Sequence, residues 1–313
     1  MFAARCMAVS LAVFILAYSA LSLAVSRTWH LLSKLRTPRS TKNCADSLFV
    51  MRIFPLAASA AVTLLFTLPS FLWLEPRSTD EAIGTAPVLL GIVCVALFAL
   101  GFARSAAAHI STSRAAARWL KSGNLIATAA GIPFVRAPHA PALAVTGMTS
   151  PKVFVSEATL AALTPGELRV AVRHELSHAR RYDNVKKLLF RFAVFPGMSG
   201  LHRQWSEATE LAADDAAVSS RREALDLAAA LIKVSKLCQS DSSPALATGL
   251  LNSSTALSLR IERLFRWEIN SPAVQKTYRW RSAFAAAGLA ALFILTYTPA
   301  LVRMHALTEW LVR

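Results

Sequence analysis

Four stretches of the chain carry no charge for long enough to cross a bilayer: residues 7–25, 53–74, 86–103 and 283–302. Pro55 and Pro69 fall near the ends of the second stretch, or kink it, and Trp73 and Trp280 suit membrane interfaces. Between the third and fourth stretches the pattern changes. An alanine-rich helical run continues the third stretch to about Gly123-Asn124. Short β-like runs follow at 132–136, 142–146 and 152–156, and the last two, joined through Gly147 and Pro151, predict a hairpin. In 152–156, Lys152, Phe154 and Ser156 alternate with Val153 and Val155, the pattern of a half-buried strand, expected here at a sheet edge open to an extended peptide.

Helical periodicity then takes over. Thr164-Pro165-Gly166-Glu167 reads as an N-cap, a Pro at the first helical position and a capping-box Glu. Leu168, Ala171, Val172, Leu176 and Ala179 form one apolar stripe behind it. Residues 188–198 are apolar but too short to span and contain Arg191, which predicts a re-entrant or interfacial helix ending at Pro196-Gly197. An alanine-rich helix covers 207–215, and residues 257–265 form an amphipathic helix returning the chain towards the last stretch.

The fold class expected is a mainly α membrane protein, with four transmembrane helices and an α+β domain between the third and fourth. Its parts are 1–103, three spans and a basic loop; 104–281, the α+β domain; 282–302, the fourth span; and 303–313, a short tail. Composition agrees: of 313 residues 55% are hydrophobic, and the mean hydropathy is +0.45. A signal peptide is the rival reading of the first stretch. Arg27, Lys34, Arg36, Arg39 and Lys42 crowd the loop after it, which argues instead for a retained span with that loop in the cytoplasm. The next loop is acidic, with Asp80 and Glu81, and basic residues flank the central domain at Arg104, Arg114, Lys276 and Arg279. These charges predict an outside N-terminus, a cytosolic central domain and an outside tail, in a multi-pass membrane protein. They also account for the net charge of +16 through anionic lipid, so no nucleic-acid partner is expected. Four cysteines without C-x-x-C spacing indicate neither a disulfide framework nor a zinc ribbon.

Chemistry concentrates in His174-Glu175-Leu176-Ser177-His178, an H-E-x-x-H sequence on the capped helix. His174 and His178 lie one turn apart, so both rings can reach one metal ion, and Glu175 can polarise a water beside it. Such a site needs a third ligand from elsewhere. Glu210 fits, with Asp214 one turn on to hold the free nitrogen of a ligating histidine; Glu207, on the same face, is the rival ligand. Zn2+ is the cofactor expected of this set. Arg180, Arg181 and Asp183 are expected to orient the helix or meet lipid headgroups. His202 is either an oxyanion donor or a surface histidine, and His30, His109, His139 and His305 have no partner spacing.

These segments resemble the membrane-embedded zinc metallopeptidases of the BlaR/MecR type. The resemblance rests on 147–156, on Leu163-Thr164-Pro165-Gly166-Glu167-Leu168, on 174–184 with its Arg-Arg-x-Asp-Asn extension, and on Glu210-Leu211-Ala212-Ala213-Asp214. It implies a multi-pass protein of the bacterial inner membrane with a gluzincin-like cytosolic zinc-peptidase domain, with His174, His178 and Glu210 as zinc ligands, Glu175 as general base and Asp214 behind a ligand. Members that sense beta-lactams carry a large extracytoplasmic penicillin-binding domain after the fourth span, where only 303–313 stand in this sequence. A signal is therefore expected from a separate sensor partner or from the bilayer. The expected substrate is a cytosolic protein or peptide, such as a transcriptional repressor or the chain itself. Quality-control proteolysis of membrane proteins and a non-catalytic signalling scaffold are the alternatives.

Overall fold

The computed structural model describes residues 2–32, 41–75, 84–129, 132–148, 150–237, 248–249, 254–267 and 296–310. They divide into two compact units: Met1–Leu32, Ile53–Leu100 and Ser271–Arg313 form one, and Ser33–Arg52 with Gly101–Asn270 the other.

The apolar patterning becomes long helices: α1 (Phe2–Leu32), α2 (Thr41–Val62), a π-helical turn (Thr63–Thr67), α3 (Leu68–Leu74) and α4 (Thr85–Ser122). Three continuous stretches, Phe2–Trp29, Thr41–Leu74 and Thr85–Ser122, are long and apolar enough to cross a membrane. They carry the first three predicted spans, and α4 includes the predicted alanine-rich continuation. Most of the predicted fourth span lies outside the described residues; residues 296–310 are helical. Pro55 lies inside α2, and Pro69 opens α3 just after the π-helical turn. Proline has no N–H, so the Leu65 carbonyl four residues before Pro69 loses its helical donor. The Tyr297 hydroxyl donates to that carbonyl at 2.9 Å. In the same unit Arg5 pairs with Glu75 at 3.0 Å, both side chains buried, and His305 stands 3.8 Å from Glu75 and 3.7 Å from Glu309.

The second unit holds a five-stranded sheet formed by β1 (Asn124–Ala129), β2 (Ile132–Arg136), β3 (Leu143–Thr146), β4 (Lys152–Val155) and β5 (Thr248–Gly249). Their order is β1-β2-β4-β3-β5. β3 and β4 form the predicted hairpin, with Ala144 opposite Phe154. Its turn needs Gly147, whose φ of +101° suits glycine and where a Cβ would collide with the Ser150 carbonyl. The expectation of an edge strand at 152–156 is overturned. β4 is central, bonded to β2 in parallel and to β3 antiparallel, and Val153, Phe154 and Val155 are fully buried. Alternation separates the two faces of a strand and is silent about its neighbours; here both faces are covered. Trp119 of α4 packs on Phe154 from one side, while Val153 and Val155 join the main core on the other.

That main core is built around α6 (Pro165–Arg180). Its Val170, Ala171 and Leu176 pack with β3 and β4, with Leu227 and Leu231 of α9 (Arg221–Leu237) and with Leu264 of α10 (Ser254–Phe265). Short α5 (Glu157–Ala162) precedes it; α7 (Asp183–Phe192) and α8 (Ser199–Ala217) follow. The helix expected at 188–198 ends at Phe192. Phe190 is buried against Trp205 and Phe49, which takes this part of α7 into the protein interior.

Both bonds of the predicted capping box are present on α6: the Thr164 N–H donates to the Glu167 carboxylate at 2.8 Å, and the Glu167 N–H to the Thr164 hydroxyl at 3.4 Å. Burial pushes the Glu167 carboxyl up, but Lys233, at 2.7 Å, and the Thr164 bonds hold it below its ordinary value. A lowered folded value means that this stabilisation is present above the ordinary carboxyl pKa and is lost as pH falls through the folded one. Glu167→Ala should therefore lower stability by about 1 kcal/mol at neutral pH. The deficit should close in acid; thermal unfolding of the two proteins across pH checks it, and a pH-independent deficit would refute it.

Candidate metal site and active centre

His174, Glu175 and His178 lie on the inner face of α6, fully buried or nearly so. Glu210 and Asp214 are buried on α8, which packs along α6. The Nε2 atoms of the two histidines face each other at 3.2 Å. Glu210 lies 3.4 Å from His174 Nε2 through Oε2 and 3.6 Å from His178 Nε2 through Oε1. One ligand atom from each of the three residues thus falls within 4.8 Å of the others. Glu207, the rival, is part-exposed, faces Arg203 at 3.7 Å and does not join them.

Each remaining ring nitrogen meets a carboxylate. His174 Nδ1 lies 3.0 Å from Asp214 Oδ1, close but poorly aligned for a hydrogen bond, and His178 Nδ1 lies 2.7 Å from Asp183 Oδ2. A carboxylate can only accept, so each Nδ1 carries the proton and each Nε2 is turned to the shared centre. Two imidazole nitrogens and a carboxylate converging in a buried space call for positive charge. Burial alone would lower the His174 pKa, but Asp214 and Glu210 outweigh it and push it up to about 9. The protein by itself meets this demand with a proton, and a divalent cation fits the same donor set better. Glu210 is held well below the usual carboxylate range: His178 and Arg260 overcome the effect of burial.

Glu175 faces the opposite pressure. Burial pushes its carboxyl up to about 8, with His174 opposing and Glu210 reinforcing the shift. The Val145 backbone favours its charged form slightly, yet neither carboxylate oxygen makes a well-formed hydrogen bond. A buried carboxylate one residue from a metal-competent histidine, with its oxygens uncommitted, is suited to exchange a proton.

Two residues do more here than the sequence suggested. Asp183 reaches His178 because Tyr182 adopts a left-handed conformation, φ 55° and ψ 37°, reversing the chain between α6 and α7. That conformation costs a non-glycine residue about 1–2 kcal/mol. Arg181 and Lys186 flank Asp183 at 3.9 and 3.7 Å and both also approach Asp46 of α2. Asn184 donates to the carbonyls of Val145 and Gly147, tying α7 to β3. Arg180 is exposed, and its neighbour Arg181 acts through Asp183 and Asp46.

Arg260 was not foreseen at all. It is 3% exposed and binds Asp214 through Nη2 at 2.7 Å and Nε at 2.8 Å, and Glu210 through Nη1 at 3.0 Å. The signal was available, since on α10 positions 257, 260, 261 and 264 form one stripe and only 260 is charged. His202 is exposed and packs on Phe190 and Trp205, the surface alternative of its two readings.

A buried centre of two histidines on a capped helix and a carboxylate from a neighbouring one, in a chain with three membrane-competent helices among its described residues, has the build of a membrane metallopeptidase. Residues 126–264 match the family model described as BlaR1 peptidase M56, which places this segment in that family. The match runs from β1 into α10 and takes in every residue of the site described above. No curated protein matches the chain.

Removing the carboxylate behind a ligating histidine commonly weakens metal binding 10–100-fold. Asp183→Ala should show about that loss for a divalent metal, read by chelator competition, while His202→Ala leaves affinity unchanged. Equal affinities for Asp183→Ala and the parent would remove Asp183 from the site.

Proposed function

We propose that the chain is a membrane-integral zinc endopeptidase acting on a protein exposed to the cytosol. The observation that carries this reading is the convergence of His174 Nε2, His178 Nε2 and Glu210 beside the uncommitted carboxylate of Glu175. His174, His178 and Glu210 would hold the ion, oriented by Asp214, Asp183 and Arg260. Zinc so held supplies Lewis acidity towards water and a peptide carbonyl. Glu175 accepts the proton of the attacking water and returns it to the departing amine nitrogen. Burial excludes bulk water, which strengthens both contacts.

Substrate would reach the site as an extended strand along β3, the strand nearest Glu175 through Val145, rather than along β4. The outer edge of β3 already pairs with the chain's own Thr248 and Gly249, opposite Val145 and Ala144. This favours, as a second reading, that the chain can present a segment of itself where a substrate would lie. A repressor cleaved in signalling is the other substrate class consistent with a cytosolic site.

Glu175→Gln should keep bound zinc yet abolish peptide cleavage, whereas His174→Ala should lose most of the metal. Full zinc content in His174→Ala would end the ligand assignment, and turnover by Glu175→Gln would end the mechanism.

The loop charges favour a cytosolic site. In a chain stripped of native cysteines, a Cys at Thr79 should label from outside intact cells, and a Cys at Asp241 should not. Labelling of the second from outside would reverse the orientation.

A further inference from the structure

We infer that Arg260 is the positioning residue that assembles the metal centre, by holding Glu210 and Asp214 in the one arrangement that serves both histidines. The inference rests on the zinc-site reading above and adds to it a residue from a separate helix.

Glu210 and Asp214 stand one turn apart on α8, each with 3% exposure or less. Two buried carboxylates at that spacing repel and have no water to screen them. The Arg260 guanidinium lies across both. Two of its nitrogens take the two oxygens of Asp214 in a bidentate pair, and a third takes Glu210 Oε2. The Asp214 oxygen bound by Nη2 is the same Oδ1 that faces His174 Nδ1. Arg260 therefore fixes the group that fixes the ring, and at the same time sets the Glu210 carboxylate towards both Nε2 atoms.

Packing alone gives no reason for an arginine there. Leu257, Ile261 and Leu264 of the same stripe pack into the apolar core, where another leucine would serve. Beside it on α10, Arg263 pairs with Asp215 at 2.7 Å, so two successive acidic residues of α8 are matched by two arginines. Lysine could not replace Arg260, because a single ammonium cannot hold a bidentate carboxylate and a second acid together.

The test uses the full-length protein in detergent, with zinc affinity measured by competition with a chromophoric chelator and geometry by the visible spectrum of bound cobalt. Binding by the parent chain, measured first, reports on the zinc-site reading itself; only the variants report on Arg260. Arg260→Gln should weaken zinc about 10–100-fold and alter the cobalt spectrum. Arg260→Lys should recover part of the affinity. In an Asp214→Asn background, adding Arg260→Gln should cost clearly less than it does in the parent, because the two act through one contact. Parent-like affinity and spectrum in Arg260→Gln, or equal losses in both backgrounds, would overturn the inference. Should Arg260→Gln fail to fold, Arg260→Lys decides: undiminished zinc affinity with an unchanged spectrum overturns the inference, and a partial loss upholds it.

Discussion

The second unit depends on how it keeps the four carboxylates of its centre, Glu175, Asp183, Glu210 and Asp214, out of water. A buried charge without partners costs several kcal/mol even after relaxation, so each must be matched. Asp183 has His178, with Arg181 and Lys186 behind it; Asp214 and Glu210 have Arg260 and the two imidazoles. Glu175 is the exception, left with a raised pKa and no well-formed hydrogen bond. The helices around the centre are arranged to deliver these partners: α7 turns back through Tyr182 to bring Asp183, and α10 crosses to bring Arg260. The compensation is specific enough to leave one carboxylate reactive.

How much of this was legible depended on whether the information was local. The capping box, the H-E-x-x-H face, the one-turn spacing of Glu210 and Asp214 on α8 and the β3–β4 hairpin all follow from residues near one another in the chain. The central place of β4 did not, because it comes from the parallel pairing with β2, outside the hairpin, while β5, nearly a hundred residues further on, covers β3. β5 itself is two residues long, too short for any periodic signal. Asp183 stood in the quoted motif, but its role depends on a left-handed tyrosine that propensity disfavours. Arg260 was visible as a charge on an apolar stripe, and such a mismatch between pattern and residue is where a buried polar network announces itself.

The family match and the geometry speak to different parts of the molecule. Residues 126–264 of the BlaR1 peptidase M56 match contain the sheet and all the site helices. The long apolar helices α1, α2 and α4 lie before it and make the chain a membrane protein by length and composition. Thr41 and Asp46, at the start of α2, bond to Asp215 and to the Arg181–Lys186 pair. The first turn and a half of α2 is thus anchored, within the second unit, to residues adjoining the candidate metal site.

The bond from Tyr297 to the Leu65 carbonyl has a consequence for assembly. Pro69 removes the α-helical donor of that carbonyl, and in a bilayer core no water can take the donor's place. The tyrosine hydroxyl answers it from the helix of residues 296–310, 232 positions further along the chain. The bond links the setting of residues 296–310 to that of the π-helical turn in the same unit. The proline therefore opens, early in the chain, an acceptor that a tyrosine far along it fills.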